Sequence, residues 1–163
     1  MKRISPKAGQ ESVWDYPRPP KLERTNKHLR ILFDGIEIAS TNQAYRVLET
    51  SHPPVYYLPQ SDLKMEFLEL VPNKSSFCEF KGSAAYWNLK TPNKQQLSVA
   101  WSYPNPSRRF LPIKDYLAFY ASKIDAAYVN DELVNAQEGD FYGGWITKDI
   151  VGPFKGGAGT WGW

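Results

Sequence analysis

Asp34-Gly35 follows the β-favouring run Arg30-Ile31-Leu32-Phe33 and precedes Ile36-Glu37-Ile38-Ala39, which alternates apolar and polar positions. Asp and Gly tolerate the positive φ angles of a tight hairpin turn, so this pair between two such runs predicts antiparallel pairing. The same grammar continues downstream. Tyr45 to Glu49 reads as a strand, and Val55 to Leu58 as another after the Pro53-Pro54 break. Further strands are predicted over Ser76 to Phe80, Ala84 to Leu89 and Leu97 to Tyr103. A second hairpin, Ala126 to Val134, turns at Asn130-Asp131. Helical signals are short: a turn over Leu63 to Met65 capped by Ser61-Asp62, and one after Pro112 running to Leu117.

These elements predict a single mainly β domain, and 163 residues suit one core. Its expected extent is residues 28–163. Residues 1–27 should form an extended arm, because five of the first twenty residues are Pro or Gly, with Trp14 and Tyr16 anchoring it to the domain. The glycine-rich tail from Gly143, with three tryptophans, is expected to pack back onto the sheets.

Charge is unevenly distributed. Residues 1–30 hold eight Lys or Arg against three Asp or Glu, and the remainder holds twelve against fourteen. A nucleic-acid binder needs a basic face on its folded part, so the slightly acidic body argues against nucleic acid as a partner. No run of about 18 apolar residues is present to cross a membrane, and the basic start lacks an apolar leader segment. Cys78, the single cysteine, excludes an internal disulfide and any zinc site built from paired Cys-x-x-Cys hairpins. The expected compartment is therefore the cytoplasm, with no cofactor and no metal.

Several segments carry polar chemistry. Glu49-Thr50-Ser51-His52-Pro53-Pro54 places a carboxylate and one of two histidines at a proline-fixed corner, where a rigid imidazole suits proton transfer. The alternative is that His52 only bonds across the turn. Tyr56 or Tyr57 would donate to a developing charge. In Ser76 to Gly82, alternation puts Ser76, Cys78 and Phe80 on one face, with Phe77, Glu79 and Lys81 on the other. Cys78 suits a reactive thiolate beside lysine, or an inert core thiol, and Lys81 before Gly82 suits an anion contact. Tyr86, Trp87, Trp101 and Tyr103 stand in alternating strands as ring platforms or core. Tyr86 and Trp101 are favoured as pocket walls. His28 reads as a solvated residue at the start of a strand. Lys155-Gly156-Gly157-Ala158-Gly159 has its lysine before the glycines and no following helix, unlike a phosphate loop.

The blocks VWDYPRPP, GIEIASTNQAYRVLETSHPPVYYLP, FCEFKGSAAYW, VAWSYPNP and DFYGGWITKDIVGPFKGGAGTWGW resemble, in order and over nearly the whole chain, the family known as domain of unknown function 427. The resemblance implies a β-tent: two antiparallel sheets, roughly perpendicular, with one or two short helical turns. In type B methionine sulfoxide reductases and related modules a zinc ion often pins such sheets, and this chain lacks the cysteines for it. Recurrent family residues map onto Glu49, His52, Pro54, Tyr56, Tyr57, Cys78, Lys81, Gly82, Tyr86, Trp101, Tyr103 and Pro104. The expected function is binding of, or action on, a small molecule in a cleft with Glu49, His52 and Lys81 as catalytic candidates and Cys78 behind them. Tyr56, Tyr86, Trp101 and Tyr103 are the ligand-binding candidates. An interaction module that forms a homodimer through the arm or tail is the alternative. A third is nucleotidyltransferase-like chemistry, which needs clustered carboxylates for magnesium that the sequence does not display.

Overall fold

A computed structural model of the chain describes residues 1–139 and 141–163. The fold is mainly β, built from antiparallel sheets and short 3-10 turns, as the turn and strand signals predict. One four-stranded sheet pairs Leu117–Phe119, Gln95–Ser102, Gly82–Lys90 and Leu68–Cys78 in that spatial order. A second pairs Glu132–Leu133, Ala126–Val129, Leu29–Phe33 and Ile36–Thr41. Asp34 and Gly35 both take positive φ, 55° and 70°, as do Asn130 and Asp131, so each hairpin turns where the Asx pairs stand. A three-stranded sheet of Lys21–Arg24, Tyr45–Leu48 and Val55–Tyr57 completes the frame. No helix among the described residues is long and apolar enough to cross a membrane.

Three local expectations are corrected. Ser61 and Asp62 lie inside a 3-10 turn, Gln60–Asp62, and cap nothing. Asp62 instead accepts a 2.6 Å hydrogen bond from the Thr41 hydroxyl. The turn around Pro112 spans Arg108–Ile113 and ends where a helix was expected to begin. Leu117–Phe119 is a fully buried strand on Gln95–Ser102, so tertiary pairing overrides the proline signal. The strand expected at Ser76 starts at Leu68, and its first half was hidden by Pro72-Asn73, where the register with its neighbour shifts.

Alternation builds the core directly. Leu29, Ile31 and Phe33 point inward from one strand and meet Ile38, Tyr56, Leu58, Leu89, Val99, Phe119 and Trp145. A second cluster of Val47, Tyr57, Ala84, Trp101, Tyr103, Phe110, Ile113 and Ala118 lies on the opposite face of the large sheet. The two are joined where Leu58 and Leu117 exchange backbone hydrogen bonds of 2.8 and 2.9 Å. That bridge sets the Val55–Tyr57 strand beside Leu117–Phe119, which pairs in turn with the strand that carries Trp101.

The first 27 residues are more than a cover. Lys21–Arg24 is a strand paired with Tyr45–Leu48, and Glu11–Ser12 pairs in parallel with Ile150–Val151 of the tail. Val13 and Tyr16 pack with Leu48 and Ile150, and the Trp14 indole donates a 2.9 Å hydrogen bond to the Pro153 carbonyl. Arg46, 8 % exposed, draws Glu11 and Glu23 onto the sheet, while the Tyr16 hydroxyl donates to Glu11 at 2.6 Å. A buried guanidinium needs such partners, because an unpaired charge at this depth costs several kcal/mol, on the order of 3–5.

The clamp has a pH signature. Burial pushes the Glu11 carboxyl up, but Arg46 and Tyr16 outweigh it and hold the group below its ordinary 4.5. Burial acts likewise on Asp149, where Lys27 and Thr147 win and hold the carboxyl below 3.8. A carboxylate whose folded pKa is depressed stabilises fully above its unfolded pKa and stops doing so as pH falls through the folded one. Thermal melts of wild type and Glu11→Gln should therefore differ at neutral pH and converge as pH falls below the carboxyl's ordinary 4.5. A constant gap across that range would remove Glu11 from the acid response.

Candidate functional site

The corner at Glu49 to Pro53 is held from three directions. Ser51 adopts a φ of 72°, its amide donates to Val13 at 3.0 Å, and its carbonyl accepts from the Lys155 amide at 2.9 Å. The Thr50 hydroxyl donates to the Tyr16 carbonyl at 2.6 Å, and Arg18 donates to the Thr50 carbonyl at 2.9 Å. Arm and tail together thus fix a turn whose own backbone strain would otherwise relax.

On this turn His52 Nδ1 lies 3.0 Å from the Thr50 carbonyl, an acceptor only, so Nδ1 carries the proton and Nε2 keeps a lone pair. Glu49 lies 3.9 Å from the same Nδ1 and 3.7 Å from Arg18 Nε. Burial, the largest influence, pulls the imidazole below its ordinary 6.5 against the opposing pull of Glu49. His52 is therefore a neutral imidazole at pH 7, oriented by a backbone carbonyl, with a basic nitrogen to spare. Its ring edge meets Tyr142 at 5.4 Å between centroids.

Across the fold, the turn between the Leu68–Cys78 and Gly82–Lys90 strands carries Lys81. Ser107 pins that turn by donating from its amide to the Lys81 carbonyl at 2.9 Å and from its hydroxyl to the Phe80 carbonyl at 2.7 Å. Gly82 takes a φ of 109° there, with the Asn105 carbonyl 3.1 Å from where a Cβ would sit. The Lys81 ammonium rests 6.0 Å from the Tyr103 ring centre and 5.8 Å from that of Phe110. Tyr86 and Trp101 are direct cross-strand partners, and the Tyr86 hydroxyl shares a 2.6 Å hydrogen bond with Ser76.

These segments converge on one cleft of about 380 Å³. Of the predicted residues, Glu49, His52, Cys78, Lys81, Tyr86, Trp101 and Tyr103 all line it. Tyr56 does not. It is buried in the main core with its ring 5.4 Å from Trp145, and Tyr57 faces the cleft in its place. Successive strand residues face opposite ways, and a three-residue strand offers too little pattern to tell which tyrosine faces the cleft. Trp87, by the same alternation, turns to the main core and donates to Ser102 at 2.9 Å. His28 is bonded to Ser40 at 2.8 Å and takes no part.

Tyr120, Gln137, Tyr142 and Gly143, which the sequence does not single out, also line the cleft, and so does Lys155. Lys155 had been set aside with the glycine tail, yet the tail brings it beside Tyr142, 6.0 Å from that ring. Gly143 presses on the indole of Trp101, with only 2.1 Å between Cη2 and the place of a Cβ. Trp101 in turn sits 4.6 Å from Tyr120 and donates to the Tyr57 hydroxyl at 3.3 Å. Burial pushes the Tyr57 and Tyr103 phenols well above their ordinary 10 and Tyr120 up to about 12, so the wall is lined by protonated hydroxyls. Among the described residues no group of three or more His, Cys, Asp or Glu is placed to hold a metal ion.

No curated protein matches the chain. A family model does, over residues 21–130, which spans both turns that carry Glu49, His52 and Lys81 and the strands bearing Tyr86, Trp101 and Tyr103. The chain belongs to the family described as domain of unknown function, DUF427.

Proposed function

We propose that the cleft is a small-molecule site in which Glu49 and His52 orient the ligand or exchange a proton with it, while Lys81 contacts its anionic group. The observation that carries this reading is convergence. Residues far apart in sequence, chosen for their chemistry, meet around one opening whose volume of about 380 Å³ falls among ligand pockets of roughly 300–1,000 Å³. A neutral imidazole with its Nδ1 proton committed to a carbonyl is the arrangement a general base requires.

Native mass spectrometry of the purified protein is the direct test. A bound metabolite should appear in the wild type and be lost from His52→Ala and Lys81→Met, with both variants melting within a few degrees of wild type, about the shift expected from 1 kcal/mol or less. Retention of the same metabolite by both variants would place it elsewhere. Where chemistry follows binding, activity should fall as pH drops through the imidazole's titration, below its ordinary 6.5, because protonated Nε2 accepts nothing.

A further inference from the structure

We propose that the ligand of this cleft is a planar aromatic molecule bearing an oxyanion, with the oxyanion on Lys81 and the ring against Trp101 and Tyr86. The proposal rests on the small-molecule reading and names the ligand class for it.

Charge is the first ground. Lys81 is half-buried as a residue, and its ammonium lies over the faces of Tyr103 and Phe110. Among the described residues no carboxylate lies within ion-pair distance of it. Ring faces hold a cation in place without neutralising it, so its charge remains available to an anion. The carboxylates of the lining are otherwise placed. Glu49 is 3.7 Å from Arg18, and Glu79, exposed in the turn that also carries Lys81, makes no ion pair with it. A fixed turn aims the ammonium, since Ser107 ties down both the Phe80 and Lys81 carbonyls.

Donors are the second ground. Tyr57 and Tyr103 stand with their rings 6.3 Å apart, and burial keeps both phenols protonated. The Tyr57 hydroxyl is hydrogen-bonded to Tyr103, so Tyr103, whose ring carries the ammonium, is the hydroxyl left to donate. A donor beside an ammonium suits an oxygen-rich anion far better than an amine. A metal cation would need several carboxylate oxygens that the described residues of this wall do not group together.

Ring shape is the third. A line of aromatic contacts runs along the cleft: Lys81 over Tyr103, Tyr103 to Tyr57, Tyr57 to Trp101 at 6.3 Å, and Gly143 against Trp101 next to Tyr142, which meets His52. Tyr86 lies directly across from Trp101 on the neighbouring strand. Flat faces of this kind favour stacking over the packing of a saturated ring. A ligand laid along this line with its anion at Lys81 would bring its other end toward the free Nε2 of His52, an acceptor for a ligand N–H or O–H.

Calorimetry with four probes separates these terms: 2-naphthoate, 2-naphthyl phosphate, 2-naphthamide and the saturated decahydro-2-naphthoate. At least one aromatic anion should bind about tenfold or more tightly than the amide and than the saturated carboxylate, the worth of one charge-assisted hydrogen bond or of stacking. The better of the two anions names the head group. Lys81→Met should bring that anion to within about threefold of the amide while leaving amide binding unchanged, a pattern that general misfolding would not produce. Equal binding of anion and amide, weakened for both by Tyr86→Ala, would overturn the ligand class and leave the cleft as a small-molecule site. An anion preference that survives Lys81→Met would overturn the assignment to Lys81. Absence of binding by any probe, together with no retained metabolite in native mass spectra, would overturn both readings, whereas a retained neutral or cationic metabolite would overturn this one alone.

Discussion

Trp145→Ala is expected to lower the unfolding free energy by about 3–5 kcal/mol, the range for emptying a fully buried tryptophan site. Trp145 is 1 % exposed, stacks near Tyr56, and donates its indole proton to the Phe119 carbonyl at 3.0 Å. Its backbone amide also donates to Pro54 at 2.8 Å, so the residue ties the tail to the segment that follows the His52 corner. Against a typical total of about 5–15 kcal/mol, that loss takes much of the stability. Chemical denaturation should show the midpoint falling with its slope preserved. Trp145→Phe should recover most of the deficit and leave about 1 kcal/mol for the lost hydrogen bond. A deficit of under about 1 kcal/mol in Trp145→Ala would mean that the tail is not fastened through this residue.

The second large effect is expected at Gly143. A Cβ there would stand 2.1 Å from Cη2 and 2.9 Å from Cζ3 of Trp101, atoms of a rigid ring that is itself 8 % exposed and confined by Tyr57 and Tyr120. Either the ring or the backbone must yield, at a cost of about 1–3 kcal/mol for overpacking. The distinguishing result is that Gly143→Ala should impair ligand binding out of proportion to its stability, because the displaced indole is a wall of the cleft. Trp101→Phe should partly restore the double variant by shortening the ring that clashes, so the two substitutions couple in a double-mutant cycle. Additive effects would separate Gly143 from the cleft wall.

Hairpins were legible in the sequence because their determinants are local. An Asx residue in the left-handed region and a period of two in apolar positions act within a few residues, and Asp34-Gly35 and Asn130-Asp131 turn where those rules place them. The candidate site was legible in part for the same reason. Proline restricts the Glu49 to Pro54 corner, and strand alternation put Cys78 with Ser76, both half-buried. But the strand ends at Cys78, so the turn beyond it brings Phe80 and Lys81 to the same cleft instead of to opposite faces. What escaped was non-local. Lys155 and Tyr142 approach His52 only after the tail has crossed back over the domain, and no spacing in the chain encodes that return. Ile113 to Leu117 reads as helical after Pro112 because the deciding partner of the strand that begins at Leu117, Gln95–Ser102, lies well upstream. Tyr57 was passed over for Tyr56 because three strand residues carry almost no phase.

The break in the Leu68–Cys78 strand has a consequence for solubility. This strand is the outer edge of its sheet, and it exposes Leu70 and Phe77, at 51 % and 76 %. A long flat edge with such side chains would be a template for another chain to pair with. Here the register shifts between Leu70 and Ser75, Pro72 lacks a donor, Asn73 turns left-handed at a φ of 58°, and Lys74 adds charge. The kink divides one inviting edge into two short pieces. Each piece is a poorer template for edge-to-edge pairing than one long flat strand would be.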